Sequence, residues 1–585
     1  MSIRAGQAKA IAGPCPDEPG PLIAKILGDS GKTRSHAEYP ISITSSADSW
    51  LYLELDFGKI VAGFVRLDVE APEGTILDLH YRERPLSPSA PAPTGAEGMR
   101  YIARGSGDTY ESLELAGLRY IYLTVRAPHA ATVTINRVDV REHTYPWQGE
   151  AAFQSNDAQL DALFLAGIRT VQLNSFDAFT DCPTRELRSW VGDGVVHQMV
   201  HLTTNADWRL ARQYVQLADS PRPDGLLPMS VAGDIEHSGT FTIPDYSLHW
   251  IHAVHNVFIY AGVEAAQPHL PTVERILRWF AAYTDPHGTL SDLPEWNLVD
   301  WSSIFTTGRS SILTALWGRA LLEFADMSTQ SENSGSARWA LQQWEAAKEG
   351  FESFWDENRG TYIDHILEDN PQPAASQAAG AAAIIAGFVP AHRLNRVAEV
   401  ITDPRSLVVR SWIGGDDGDY DEERIDQQAK GIQYIDWDVH REIVRAQPFF
   451  SYVVHDALAA AGRTDLIIKG LRSWQQFLQD GYDTFGECWG WGTTVHGWSA
   501  TPARDLVQHI LGVTPYRPGF QTVRIAPRLG GLKAARGVVP SPAGAISVAV
   551  NAAQLEINSP LPIVVVREDN EEIHLPAGTH TVSMA

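Results

Sequence analysis

Cysteine is scarce: the 585 residues hold three, Cys15, Cys182 and Cys488. Three cysteines make no disulfide framework, and their spacing fits no zinc site. Basic residues are outnumbered, 46 Lys and Arg against 71 Asp and Glu, for a formal net charge of -25. A surface that acidic repels phosphate backbones and anionic lipid, which argues against nucleic acid and membranes as partners. No segment approaches the ~20 apolar residues of a membrane span. The opening Met-Ser-Ile-Arg-Ala-Gly-Gln-Ala-Lys-Ala lacks the apolar run of a signal peptide, so a cytoplasmic protein is expected. No Gly-rich Walker or dinucleotide fingerprint occurs, and no cofactor is expected. The acidic stretch 416–423 does not have the spacing of a calcium loop and reads as solvated, so no metal is expected either.

What is present is length, with an ordinary hydrophobic content of 44%. A chain this long outgrows a single core and should hold two to four domains. Tryptophan is abundant, at 18. Count alone leaves two readings open, a large aromatic core or a carbohydrate site.

The hydrophobic period changes twice along the chain. Residues 1 to about 48 are rich in Pro and Gly and show little period. Leu51, Leu53, Leu55 and Phe57 then alternate with Tyr52, Glu54 and Asp56, as in a half-buried strand. Similar runs at Phe64–Val69, Ile76–Tyr81, Leu118–Val125 and Ala131–Val140, interrupted by a Pro/Ser/Ala/Gly loop over Pro85–Gly98, predict a β-sandwich. After Pro146 the spacing becomes helical, with Asn156 and Gln159 as a capping pair before Leu160, Leu163, Phe164, Ile168 and Val171. Roughly a dozen helical candidates follow without intervening strands, to about residue 512. Beyond Pro515, short runs bounded by Pro, Gly or Asn predict a small C-terminal β-sandwich.

One stretch in the helical part makes a poor core face. It reads Asp181-Cys-Pro-Thr-Arg-Glu-Leu-Arg-Ser-Trp-Val-Gly-Asp193. Pro183 suits the first turn of a helix, and a helix from there would set Glu186, Trp190 and Asp193 on one face. Carboxylates with an indole between them suit a sugar site, where a ring covers the apolar sugar face and carboxyl groups move protons. By itself a Glu in the first turn of a helix reads as an ionised capping charge, whereas a proton donor would have to keep its proton. Repulsion from Asp181 and Asp193 and desolvation by Trp190 are expected to win.

This stretch resembles the signature of the α-L-rhamnosidases of glycoside hydrolase family seventy-eight. That signature is Asp-Cys-Pro-Gln-Arg, two or three largely charged residues, then a Trp and a nearby Gly-Asp. Thr184 stands where Gln is usual, and the segment between Arg185 and Trp190 is one residue shorter than in many members. The resemblance implies Glu186 as general acid. Asp483-Thr-Phe-Gly-Glu-Cys-Trp489 resembles the family's Thr-Thr-aromatic-any-Glu-any-Trp run and implies Glu487 as general base, with Asp483 replacing the first Thr. Pro244-Asp245-Tyr246 is similar to a Pro-Asp-Trp run, Val299-Asp300-Trp301 to a Val-Asp-Trp run, and His496-Gly-Trp498-Ser499 to a late His-containing loop. The implied sugar contacts are Asp181, Arg185, Trp190, Asp193, Tyr246, Asp300, Trp301, Trp489, His496 and Trp498. Ile435-Asp436-Trp437-Asp438 is a weaker candidate for contacts to the leaving group.

The resemblance implies an α plus β multidomain fold: a jelly-roll-like sandwich over 1–150, an (α/α)6 toroid over 151–515 and a C-terminal sandwich over 516–585. The expected activity is inverting exo-hydrolysis of terminal α-L-rhamnosyl residues from a small rhamnoside or oligosaccharide. A toroidal glycosidase for another glycone, and a non-catalytic sugar-binding homologue, remain as alternatives. The sequence does not decide between a monomer and a homodimer.

Overall fold

Alternation of apolar and polar residues builds the first sheet. In this computed structural model, which describes residues 2–4, 7–14, 39–45, 49–85, 98–232, 242–411 and 435–584, the two early strand signals are one strand, Ser49–Glu70. It bends at a register shift between Asp56 and Val61, so the same strand pairs with Ala116–Arg126 along both halves. Leu53 faces Leu123, Leu55 faces Ile121 and, on the other partner Ala131–Glu142, Val65 faces Val140. These residues are buried in one sandwich core with Phe57, Leu77 and Leu79. Cys15, most of the Pro85–Gly98 loop and the acidic stretch 416–423 lie outside the described residues.

The helical part closes into a ring. We number its helices α1 (Ala158–Leu173), α2 (Gly194–Thr204), α3 (Arg209–Ala218), α4 (Pro244–Ala261), α5 (Leu270–Ala281) and α6 (Ser311–Gln330). The second half comprises α7 (Ser334–Phe351), α8 (Gln377–Ile385), α9 (Leu394–Val400), α10 (Ser451–Ala460), α11 (Thr464–Leu471) and α12 (Thr501–Asp505). A π-helical stretch, Leu506–Leu511, extends α12. The even-numbered helices touch in order, α2 to α4, α6, α8, α10 and α12, and α12 returns to α2. That closed inner ring is the six-hairpin toroid.

Composition explains which helices lie inside. The inner helix α2 is buried along its whole length. On the outer α3, Leu210, Ala211, Tyr214, Val215 and Ala218 are buried while Arg212 and Gln213 are exposed, an amphipathic pattern. The α8 sequence Gln-Ala-Ala-Gly-Ala-Ala-Ala-Ile-Ile lets neighbouring backbones approach: a methyl on Gly380 would lie 2.6 Å from the Ile401 side chain. The first helix is capped one residue later than the spacing predicts. The Asp157 carboxylate accepts from the Gln159 N–H at 3.1 Å, whereas Asn156 accepts from the Lys533 N–H of the C-terminal domain at 2.8 Å.

Two further sheets end the chain. Residues Ala534–Ser541, Gly544–Asn551, Gln554–Ser559 and Gly578–Ser583 form an antiparallel sheet that Ala152–Ser155 joins from before the toroid. Val513–Pro515, Val523–Ile525, Ile563–Val566 and Glu572–Leu575 form the other. Their apolar faces merge with the toroid core.

A close approach inside the toroid yields a prediction. A methyl on Gly318 of α6 would sit 2.4 Å from the Phe388 ring, which is held by Phe351 at 4.9 Å and Trp344 at 6.1 Å. Gly318→Ala should therefore destabilise the toroid by about 1–3 kcal/mol, the usual range for overpacking. The check is the midpoint of its helical thermal transition, which should fall.

Candidate active site

Inner helices that alternate with outer ones all run the same way, so their N-termini share one face of the ring. The segments entering α2, α4, α6, α10 and α12 carry, in turn, residues 181–193, 244–246, 299–301, 447 and 485–499. The sequence candidates collect there because of this ring direction, not because of any closeness in the chain.

The 181–193 segment is not the helix its spacing predicts. Residues 183–186 form a turn, Leu187 adopts a left-handed φ of 48°, and Ser189–Trp190 is a short strand paired with Ser230–Ala232. Helix α2 begins only at Gly194. A local closure replaces the expected first turn: Asp181 donates its N–H to the Arg188 carbonyl at 2.9 Å, and its carboxylate accepts from the Arg188 N–H at 2.8 Å. Glu186, Trp190 and Asp193 therefore do not share a helix face. They converge by other means.

Arg185 joins the two candidate catalytic carboxylates. Its Nη1 lies 2.7 Å from Glu186 Oε1 and its Nη2 lies 3.3 Å from Glu487 Oε2. With ~2.3 Å between the terminal nitrogens of one guanidinium, those two contacts limit the carboxylate oxygens to a separation of about 8 Å or less. Trp190 donates its indole N–H to Glu186 Oε2 at 2.7 Å, and the Arg188 guanidinium lies 5.4 Å from the Trp190 ring centre. Glu487 also accepts from the Thr493 backbone N–H at 3.1 Å.

Behind these groups runs a buried relay. Asp193 accepts from the Tyr246 hydroxyl at 3.1 Å and pairs with His496 Nε2 at 3.2 Å. The other ring nitrogen of His496 is 3.1 Å from Thr493 Oγ1 and 3.9 Å from Glu487 Oε2. Burial works against a charged His496, but the hydrogen bond to Asp193 and the pull of Glu487, Asp193 and Asp181 outweigh it and hold its pKa up at about 9. His496 is thus an imidazolium at neutral pH. Burial pushes Asp181 up to about 7, with His496 pulling it down and Glu186 pushing it up.

The remaining candidates pack around these groups or brace the segments that carry them. Trp301 lies with its ring centre 5.7 Å from Trp296, which is 42% exposed, and 6.0 Å from Trp491. Asp300 is wholly buried and braces two segments, accepting from the Ser302 and Gln447 N–H groups at 2.8 Å each; burial raises its pKa to about 6. Trp489 stacks on Phe477 and donates its indole N–H to the Ala446 carbonyl at 2.8 Å. Trp498 stacks on Phe449 and donates to the Glu487 carbonyl at 2.9 Å, fixing the backbone of that residue. Asp436 pairs with Arg410 at 3.1 Å, and Trp437 is buried against Phe305. Asp483 is 43% exposed, 4.0 Å from Arg169. Thr493 and Gln447 carry no motif signal, and only their contacts reveal them.

Two clusters bring three metal-type ligand atoms within 4.8 Å: Asp181 with Cys182 and His496, and His252 with His255 and Glu323. In the first, the Cys182 thiol donates to the Asp181 carboxylate at 2.9 Å and His496 pairs with Asp193 at 3.2 Å. In the second, His252 binds Glu323 directly at 2.6 Å and the Arg319 guanidinium stands 3.6 Å from the same carboxylate. Both are hydrogen-bonded ion clusters in their own right.

Three family models match the chain: the bacterial α-L-rhamnosidase concanavalin-like domain over residues 51–141, its six-hairpin glycosidase domain over 148–405 and its C-terminal domain over 512–584. No curated protein matches in sequence. Among solved structures, the fold is similar to a family-seventy-eight rhamnosidase of Bacillus sp. GL1, with 24% identity and a TM-score of 0.78 over 91% of this chain and 55% of that one. A Klebsiella oxytoca rhamnosidase with rhamnose bound matches at 19% identity and a TM-score of 0.64, over 87% of this chain and 96% of that one. A Streptomyces avermitilis α-L-rhamnosidase complexed with L-rhamnose matches at 18% identity and a TM-score of 0.69, over 99% of this chain and 53% of that one. The chain therefore spans about half the length of the Bacillus and Streptomyces proteins.

The relay makes stability depend on pH. The folded pKa of His496, about 9, lies above its ordinary 6.5. A raised pKa gives stability that is complete below the unfolded value and lost as pH rises through the folded one. The thermal midpoint should thus fall between about pH 6.5 and pH 9, with His496 accounting for on the order of 3 kcal/mol. Thermal scans across this range should show a shallower fall for His496→Gln than for the wild type.

Proposed function

This chain belongs to the bacterial α-L-rhamnosidase family, and from that premise we propose that it is an inverting exo-α-L-rhamnosidase, removing terminal α-L-rhamnosyl residues from small rhamnosides. One observation carries the proposal: Glu186 and Glu487, 301 positions apart, meet across Arg185, with Trp190 hydrogen-bonded to Glu186 and Trp491, beside Trp301, in the Glu487 loop. Rhamnose is taken as the glycone because two relatives of the same fold hold it. Its methyl group calls for apolar contact and its hydroxyls for charged partners, and these residues supply both kinds.

The chemistry divides between the two carboxyl groups. Glu186 delivers a proton to the glycosidic oxygen as the bond to the anomeric carbon breaks. Glu487 takes a proton from a water that attacks the opposite face of the ring. Inversion needs about 6.5–9.5 Å between the carboxyl groups, to leave room for that water, whereas retention uses about 5–5.5 Å. The limit of about 8 Å set by the shared guanidinium admits either spacing, and inversion is proposed from the family resemblance. Arg185 is 55% exposed, so it is free to turn from the carboxylates to sugar hydroxyls when substrate takes the space between them. The indole N–H of Trp190 orients Glu186, and the Thr493 N–H orients Glu487.

The test is steady-state turnover of aryl glycosides. The wild type should cleave the α-L-rhamnoside in preference to other glycosides, and Glu186→Gln and Glu487→Gln should each lower kcat by about 10²- to 10⁴-fold. Proton NMR should show the β-anomer of rhamnose formed first. Turnover unchanged in both variants would refute the assignment, and an α-anomer product would refute inversion.

A further inference from the structure

The turn that carries Glu186 and the loop that carries Glu487 are both gripped by one residue of the N-terminal sandwich. Glu83 directly follows the strand Ile76–Arg82. Its Oε1 accepts from the Thr184 hydroxyl, two residues before Glu186. Its Oε2 accepts from both the backbone N–H and the hydroxyl of Thr494, the latter at 2.8 Å. Thr494 adjoins Thr493, whose N–H binds Glu487. The Glu83 carbonyl accepts from the Tyr482 hydroxyl at 3.0 Å, just before the same loop, and the Arg84 guanidinium reaches the Gly492 carbonyl at 3.4 Å.

The surrounding contacts make this junction rigid. A methyl on Gly117 of the sandwich would lie 2.6 Å from the Pro183 backbone, so the sheet presses directly on the acid-bearing turn. Ile60 and Ala62 of the sandwich pack with Leu173 and with Val495, the neighbour of Thr494. Arg119 pairs with Asp56 at 3.1 Å, donates to the Asp480 carbonyl at 2.8 Å and covers the Tyr482 ring. Thr184 and Thr494 are themselves buried. A carboxylate accepting from three donors on two segments has little freedom to let either move.

We propose that Glu83 is a positioning residue: from the sandwich it locks the acid-bearing turn to the base-bearing loop and so sets the spacing of Glu186 and Glu487. The substitution at Thr184 belongs to the same device. A threonine hydroxyl on a short stem is the donor that closes the Glu83 bridge, where the family resemblance places a longer glutamine. Glu83 makes no contact with either catalytic carboxyl group, so it acts only through the backbone of the two segments. The kinetic consequence rests on the rhamnosidase reading; the mechanical one does not.

The experiment combines hydrogen-exchange mass spectrometry with turnover of an aryl α-L-rhamnoside, using the full chain and its Glu83→Ala and Glu83→Gln variants. In Glu83→Ala, peptides covering 181–190 and 485–496 should both lose protection by roughly tenfold while the helices keep theirs. Misplaced reacting groups lower the chemical step, so kcat should fall by about 10- to 100-fold. KM should change less than kcat, since Trp301 lies on a segment that Glu83 does not touch. Glu83→Gln should recover most of both signals, because its amide oxygen can still accept from Thr494 and its amide nitrogen can donate to Thr184. Unchanged protection in either peptide, or a kcat within about twofold of wild type, overturns the proposal. A wild type inactive on every rhamnoside would instead defeat the functional reading, and the exchange data would still decide the bridge.

Discussion

Glu186 and Glu487 are held close to one another, and two such carboxyl groups repel. At an effective dielectric of ~20, two carboxylates no more than ~8 Å apart repel by at least about 2 kcal/mol. Arg185 lies in the gap with one nitrogen on each carboxylate, and so offsets that repulsion in the free protein. Every other feature of the site follows from holding such a cluster in place. Fixed donors, the Trp190 indole, the Thr493 N–H and the Tyr246 hydroxyl, hold the carboxyl groups of the cluster.

The charge pattern continues behind these carboxyl groups. His496 stands between Asp193 and Glu487 and is the one buried cation of that layer among the described residues. Its positive charge is what makes two buried acids tolerable there, and it draws Asp181 downward while burial draws it up. Removing a partner from such a cluster leaves a buried charge without compensation, which costs more than the pair contributes. This layer ties chemistry to stability: the groups that hold the carboxylates in place are also the groups whose titration changes the fold's free energy.

Architecture supplies the convergence. Six inner helices running in one direction bring their N-termini to one face, and the N-terminal sandwich closes over two of the segments there. Much of this was legible from the chain. The alternation at Leu53, Leu55 and Phe57 marks a buried strand face, and the 3.6-residue period of Leu160, Leu163 and Phe164 marks a helix. Both are nearest-neighbour signals. The failures are equally informative. Spacing put Glu186, Trp190 and Asp193 on one helix, but Asp181 closed a loop onto Arg188 and the Ser189–Trp190 strand found a partner at 230–232. Asn156 scored as a helix cap, yet its side chain binds the C-terminal domain and Asp157 does the capping. In each case a contact from elsewhere in the fold outweighed a local preference.

The amino-acid sequence by itself determined the three-part order of sheet, helices and sheet, and the residue types able to move protons and stack on a sugar. Those properties depend on side-chain period and chemistry, which are written position by position. Only the tertiary structure decided that Glu186 and Glu487 share one guanidinium, that His496 sits between two carboxylates, and that Thr493 and Gln447 lie beside them. Those properties depend on distances between segments hundreds of residues apart, and such distances exist only once the ring has closed and brought the segments together.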